Sequence, residues 1–162
     1  MAANPDYTRS VVEALHQRGR THIRIQGRSM YPVLRHGDQV IVEPVVYDEL
    51  ARGDMIVFYD KRGIVCHRLL RKRQRQCHLK GDTNIRTDPP IGWSQVLGRV
   101  THVVENDGAI RSIDLDPQRR HAAFVARFSY FYGLYYNLMH SLGHCRWWAR
   151  PTLPSKKDSE KI

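Results

Sequence analysis

The spacing of apolar and polar residues divides the chain into a short helix, a series of strands and a second helical stretch. In residues 5–19, Val11, Val12, Ala14 and Leu15 lie near helical spacing and Gly19 follows, which predicts an amphipathic helix. Short runs typical of strands then recur at 22–26, 39–45, 54–59, 64–70, 76–80, 96–105 and 109–113. Turn residues separate these runs, so the pattern predicts a mainly β fold that forms a compact, coiled, barrel-like domain.

The character of the sequence changes at Pro117. Residues 119–148 are helical in character and crowded with aromatic side chains, whereas the last residues are polar and typical of disorder. We therefore predict an N-terminal helix, a β domain, an aromatic-rich C-terminal helical segment and a disordered tail. Their predicted bounds are 1–20, 21–116, 117–150 and 151–162.

The chain is strongly basic. Its 26 Lys and Arg against 16 Asp and Glu give a formal charge of +10. This charge favours an anionic membrane surface, a nucleic acid or an acidic peptide as partner, and it also fits a surface that only keeps the protein in solution. Part of the excess lies in a basic cluster at residues 71–75 (RKRQR), whose partner the sequence leaves open.

The cysteines do not indicate a disulfide framework or a metal site. Cys66, Cys77 and Cys145 are an odd and sparse set, and each stands next to a histidine. Adjacent residues on a strand point to opposite faces, so such pairs seldom supply two ligands to one ion. We therefore expect neither a metal nor another cofactor.

The relation of the chain to membranes is open at its C-terminal end. Residues 1–20 lack the features of a signal peptide, and no run of eighteen apolar residues occurs. The aromatic-rich residues 122–142 include Arg127, Asn137 and His140, so three alternatives remain: a helix packed on the domain or a partner, an interfacial helix, or a span. We expect a cytoplasmic protein or one peripheral to a membrane.

Four blocks in the chain carry the strongest functional signal. They are residues 27–38 (GRSMYPVLRHGD), 52–70 (with RGDMIVF and VCHRLL), 79–88 (LKGDTNIRTD) and 97–100 (LGRV). In content and order they resemble the blocks of type I signal peptidases and of the related LexA-type serine peptidases. The resemblance covers about residues 23–104, and its specificity comes from the four blocks together.

The resemblance implies a role for each of five residues. Ser29 is the expected nucleophile, and His67 stands where the bacterial enzymes carry a lysine, as in the Ser–His branch of endoplasmic-reticulum and archaeal signal peptidases. An imidazole, with a reference pKa of about 6.5, suits a general base near neutral pH. Asp88 is expected to orient it, Asp82 to support or replace Asp88 in that role, and Met30 to line a substrate pocket.

An acyl-transfer site also needs donors for the oxyanion. By resemblance, the backbone N–H of Ser29 is one donor. Many bacterial members add a serine hydroxyl two positions earlier, where this chain has Gly27, so the second donor stays open.

The implied activity is that of a serine endopeptidase that cleaves a precursor or leader peptide after small residues. A LexA-type autoprotease fits less well, because residues 1–20 are too short for a DNA-binding domain and no Ala-Gly pair occurs. The alternative from another class is a non-catalytic binding module that contacts an anionic membrane surface or a nucleic acid. We expect a peptide substrate, a peripheral membrane contact through residues 119–148, and no nucleic-acid partner.

Overall fold

The computed structural model describes residues 5–113 and 129–141. Within these residues, two α-helices flank eight strands. The elements are α1 (Pro5–Arg18), β1 (Thr21–Arg24), β2 (Gln39–Glu43), β3 (Met55–Asp60), β4 (Gly63–Arg73), β5 (Gln76–Lys80), β6 (Ile91–Gly92), β7 (Val96–Val104), β8 (Ile110–Ser112) and α2 (Ser129–Ser141). The predicted tail at 151–162, and residues 117–128 and 142–150 of the predicted C-terminal helical segment, lie outside the described residues, as do residues 1–4 and 114–116.

All eight strands belong to one antiparallel sheet, in the order β1-β2-β7-β3-β4-β5-β6, with β8 paired to β7. The predicted mainly β class, with a helix at each end, is confirmed. Within the described part of the chain the sheet is not a closed barrel, because β1 and β6 do not pair. These two end strands contain only four and two residues, which leaves few backbone groups for a closing ladder.

The sheet separates two hydrophobic clusters, and β3 contributes to both. Met55 and Val57 belong to the cluster that also holds Val11 and Leu15 of α1, whereas Ile56 and Phe58 belong to the other. Because successive side chains on a strand point to opposite faces, a strand covered on both sides has a continuous apolar run. This explains why residues 55–58 are all buried.

The hairpin of β4 and β5 departs from the predicted boundaries. β4 continues to Arg73, beyond the predicted end at residue 70, with a bulge between Leu69 and Arg71. Gln74 and Arg75 form the turn with φ of 50° and 57°, the left-handed conformation that a two-residue hairpin turn needs. The basic cluster 71–75 therefore lies at the tip of this hairpin. The short strand β6 also lies within a segment that the sequence predicts to be a loop.

Neither α1 nor the described part of α2 has the length and apolar content that crossing a bilayer requires.

Candidate active site

Three segments that are distant in sequence bring Ser29, His67 and Asp88 together. Ser29 lies in the turn between β1 and β2, His67 on β4, and Asp88 in the loop between β5 and β6. The His67 Nε2 atom is 3.2 Å from the Ser29 Oγ atom, and the His67 Nδ1 atom is 2.5 Å from the Asp88 Oδ2 atom. The imidazole thus bridges a hydroxyl and a carboxylate.

The polarity of this chain of hydrogen bonds follows from the carboxylate. An ionised carboxylate only accepts hydrogen bonds, so the His67 Nδ1–H donates to Asp88. The lone pair of Nε2 then faces the Ser29 hydroxyl, which donates to it. The arrangement can therefore take a proton from Ser29.

The backbone of the Ser29 turn is held by the loop that follows β5. The Thr83 N–H donates to the Ser29 carbonyl at 3.0 Å, and the Thr83 hydroxyl donates to the Arg28 carbonyl at 3.1 Å. Gly81 lies directly against the serine: a Cβ at this position would be 2.9 Å from the Ser29 Cβ. Only glycine leaves room for this close approach.

Burial separates the two inner groups from solvent and leaves the serine accessible. The side chains of His67 and Asp88 are 4% and 7% exposed, whereas Ser29 is half-buried. The Phe58 ring packs near the imidazole, with centroids 6.1 Å apart. A hydrogen bond between buried polar groups is stronger than one in water, so this environment holds the imidazole in one orientation.

The sequence of residues 3–98, which contains all three groups, matches the family described as Peptidase S24-like. The chain belongs to the Peptidase S24-like family. This membership places it in the LexA- and signal-peptidase-like serine peptidase superfamily. It also supports the assignment of the protein to the peptidases, which are hydrolases. No curated protein is similar enough in sequence to count as a match. Within the superfamily, the Ser–His branch stays a prediction.

One residue of this S24-like site has no counterpart in the sequence prediction. Arg62, in the turn between β3 and β4, places its Nη2 atom 2.6 Å from Asp60 Oδ2 and 3.4 Å from Asp88 Oδ1. Burial alone would raise the pKa of Asp60, but hydrogen bonds and charge from Arg62 outweigh it and hold that pKa below its ordinary value. The sequence around Arg62 predicts only a turn between two strands. The contact of Arg62 with Asp88 arises from the folded arrangement of the chain.

Asp82 contacts a different partner from the one that an orienting role requires. Its two oxygens accept hydrogen bonds from Arg68 Nε and Nη2 at 2.7 and 2.6 Å, and both side chains are at most 3% exposed. Arg68 Nη1 also donates to the Gly53 carbonyl at 2.8 Å. In this structure the imidazole faces Asp88, and Asp82 anchors the loop. Of its two predicted roles, the geometry corresponds to the supporting one.

Met30 lies in the core, not on a pocket wall. It is 2% exposed and packs in the cluster that contains Val11 and Leu34. The reason is that Ser29 and Met30 are neighbours in a tight turn, where their side chains diverge. The structure thus differs from the expectation that Met30 lines a substrate pocket.

The backbone conformation at position 27 favours glycine over the serine that many bacterial signal peptidases have there. Its φ of +87° lies in the left-handed region, which side chains with a Cβ seldom adopt. Any second oxyanion donor therefore has to come from another residue.

The described cysteines lie apart from the site. The Cys66 side chain packs against the cluster that contains Val57, and burial raises the pKa of its thiol to about 12. Cys145 lies outside the described residues. Within residues 5–113 and 129–141, no three His, Cys, Asp or Glu side chains converge as a metal ion would require.

Proposed function

We propose that the protein is a serine endopeptidase that cleaves a precursor or leader peptide, with Ser29 as nucleophile, His67 as general base and Asp88 as orienting group. The observation that carries this proposal is the hydrogen-bonded chain from the Ser29 Oγ through both nitrogens of His67 to Asp88. A hydroxyl becomes an effective nucleophile when a base within hydrogen-bond reach removes its proton, and this geometry meets that requirement.

The proposed reaction has two stages. As the Ser29 Oγ bonds to the scissile carbonyl carbon, its proton moves to His67 Nε2, and the imidazolium is stabilised by Asp88. His67 then gives that proton to the leaving amine, which leaves an ester on Ser29. In the second stage water repeats the sequence, with His67 again taking and returning a proton, and releases the acid.

The Ser29 backbone supplies one donor for the oxyanion. In the part of the chain that the structure describes, the Ser29 carbonyl and hydroxyl have hydrogen-bond partners, and its backbone N–H has none. In acyl transfer, negative charge develops on the substrate oxygen next to the nucleophile, and a backbone N–H at that place can donate a hydrogen bond to it. The preference for small residues before the cut is part of the proposal and comes from the resemblance to signal peptidases.

Cleavage of defined peptides tests the proposal. The full chain is incubated with peptides that differ only in the residue before the expected cut, with Ala, Gly or Ser against Leu or Arg, and products are identified by mass spectrometry. We expect cleavage after the small residues and a loss of about 10³-fold or more in kcat/KM for Ser29→Ala. Ser94→Ala, an exposed serine near β7, is the matched control.

One further variant tests the orienting role of Asp88. Asp88→Asn should keep the fold and lose about 10⁴-fold in kcat, because the amide no longer holds the imidazole in the required tautomer. Asp107→Asn, in an exposed turn, is its control. Unchanged cleavage in Ser29→Ala would refute the nucleophile assignment, and peptide binding without cleavage by the wild type would instead favour a binding module.

A further inference from the structure

The α2 helix packs one of its faces on the loop between β5 and β6, which carries Asp88. Asn137 Nδ2 donates to the Thr83 carbonyl at 2.9 Å, and the Tyr136 ring lies 5.5 Å from the Tyr31 ring. At Gly133 the helix lies so close that a Cβ would be 2.4 Å from the Asn84 carbonyl oxygen. Since Thr83 bonds the Ser29 carbonyl, α2 borders the proposed active site.

Another face of α2 is apolar and exposed. Phe131, Leu134, Tyr135 and Leu138 are 67%, 47%, 47% and 57% exposed. Their spacing of three, four and seven residues places them on one side of the helix, where they form what we call the α2 apolar stripe. Contiguous exposed apolar surface of this kind is typical of an interaction site.

The sequence around the stripe has one sign of charge. Residues 117–157 contain no Asp or Glu and seven basic residues: Arg119, Arg120, Arg127, Arg146, Arg150, Lys156 and Lys157. A second copy of the chain carries the same formal charge of +10, and this like charge opposes self-association. The complementary partner is therefore an anionic one that also accepts apolar side chains.

We propose that α2 lies on an anionic lipid surface, with the α2 apolar stripe inserted among the lipid headgroups. Aromatic and leucine side chains on one helix face, with Arg and Lys nearby, are the features of an interfacial helix. Because the other face of α2 contacts the loop beside Ser29, this docking holds the proposed active site close to the membrane surface.

Vesicle binding by the full chain tests the proposal. Co-sedimentation is measured with vesicles of phosphatidylcholine alone and of phosphatidylcholine mixed with phosphatidylglycerol. We expect binding to the mixed vesicles that weakens at high salt, and much weaker binding to phosphatidylcholine alone. The double variant Phe131→Ser/Leu138→Ser should lower the affinity for mixed vesicles by about tenfold or more, because two apolar side chains that would be buried in the lipid are lost.

The matched control removes equally exposed apolar side chains elsewhere. Val46 and Ile110 are 59% and 67% exposed, so Val46→Ser/Ile110→Ser removes apolar side chains of comparable exposure and should leave binding unchanged. Circular dichroism and the thermal midpoint verify that both double variants are folded. Equal binding by the two would exclude the stripe as the lipid contact.

Other results would overturn the proposal in other ways. If the wild type fails to bind mixed vesicles, the lipid surface is the wrong partner. If it instead self-associates, and the Phe131→Ser/Leu138→Ser variant does not, the occupant of the stripe is a second copy. These outcomes are independent of the proposed peptidase activity, because Ser29→Ala should bind vesicles like the wild type.

Discussion

Arg62 is the residue whose position most directly affects the proposed base. It holds the Asp88 oxygen that His67 does not use, at 3.4 Å, while its tighter contact is with Asp60. Its guanidinium thus helps to fix the carboxylate that faces the imidazole. In the proposed reaction Arg62 would act through Asp88, as a positioning residue.

Removing this contact should weaken the proposed cleavage. In Arg62→Gln, Asp88 loses a second partner for its carboxylate, so kcat should fall by about two- to fivefold, a small effect because the arginine is partly exposed, while KM stays nearly unchanged. Arg62→Lys should retain most of the wild-type kcat. Arg86→Gln, an exposed arginine on the loop between β5 and β6, is the control. A rise in KM at unchanged kcat, or an equal loss in Arg86→Gln, would contradict this role.

The buried Lys80 side chain should make the stability of the protein depend on pH. It is 2% exposed, and burial lowers the pKa of its ammonium below 10.5, although the Asp82 carboxylate offsets part of the effect. The unfolded chain therefore binds more protons at Lys80 than the native protein does, between the lowered pKa and 10.5, and the free energy of unfolding rises with pH there.

The measurement compares two variants. Denaturant unfolding across neutral to alkaline pH should show the wild type gaining stability relative to Lys80→Met as the pH rises. Lys61→Met, at an exposed lysine, should show no such trend. A pH-independent difference for Lys80→Met would mean that the native ammonium keeps its ordinary affinity for protons.

At the scale of elements, the α2 helix and the loop between β5 and β6 act as one structural unit. The helix approaches the loop at Gly133, and the loop in turn bonds the Ser29 turn through Thr83. A change in α2 packing should therefore reach the proposed active site.

Gly133→Ala tests this coupling. In an exposed helix the change would stabilise by about 1 kcal/mol, because alanine has the higher helix propensity. Here the new Cβ would lie 2.4 Å from a backbone oxygen, so the helix or the loop has to shift. We expect a lower thermal midpoint and weaker cleavage. Ser141→Ala, at an exposed position of α2, is the control, and a gain in stability for Gly133→Ala would contradict the close packing.

At the scale of the whole molecule, a buried ion pair links segments that the chain keeps far apart. Arg68 on β4 binds both oxygens of Asp82 in the loop between β5 and β6 and the carbonyl of Gly53 before β3. The pair lies almost completely out of solvent. It joins two strands and the loop that carries Asp88, so the geometry of the site depends on it.

Breaking this pair on one side should destabilise the whole fold. Asp82→Asn leaves the buried guanidinium without its counter-charge, and we expect a loss of about 3–5 kcal/mol in the free energy of unfolding by urea. Asp107→Asn is the surface control. The double variant Arg68→Met/Asp82→Leu removes both charges and should lose less than Asp82→Asn alone; an equal or larger loss would contradict an origin in the unpaired charge.

The sequence alone predicted the helix at α1, most of the strands and the mainly β class, because these depend on local spacing of apolar residues. It also singled out Ser29, His67 and Asp88 through short blocks whose order in the chain is informative. It erred where distant pairing matters: β4 extends to Arg73 because β5 continues the ladder, and β6 exists only through its bonds to β5.

Only the tertiary structure decided how the chemical groups meet. Ser29 and Asp88 are 38 and 21 positions from His67, and their distances to its ring depend on the pairing of β4 with β3 and β5. The same packing brings Arg62 into contact with Asp88 and pairs Asp82 with Arg68. It also buries Met30 in the core. Local pattern can determine the face of a strand on which a side chain lies, but hydrogen-bond partners across segments are set by the folded sheet.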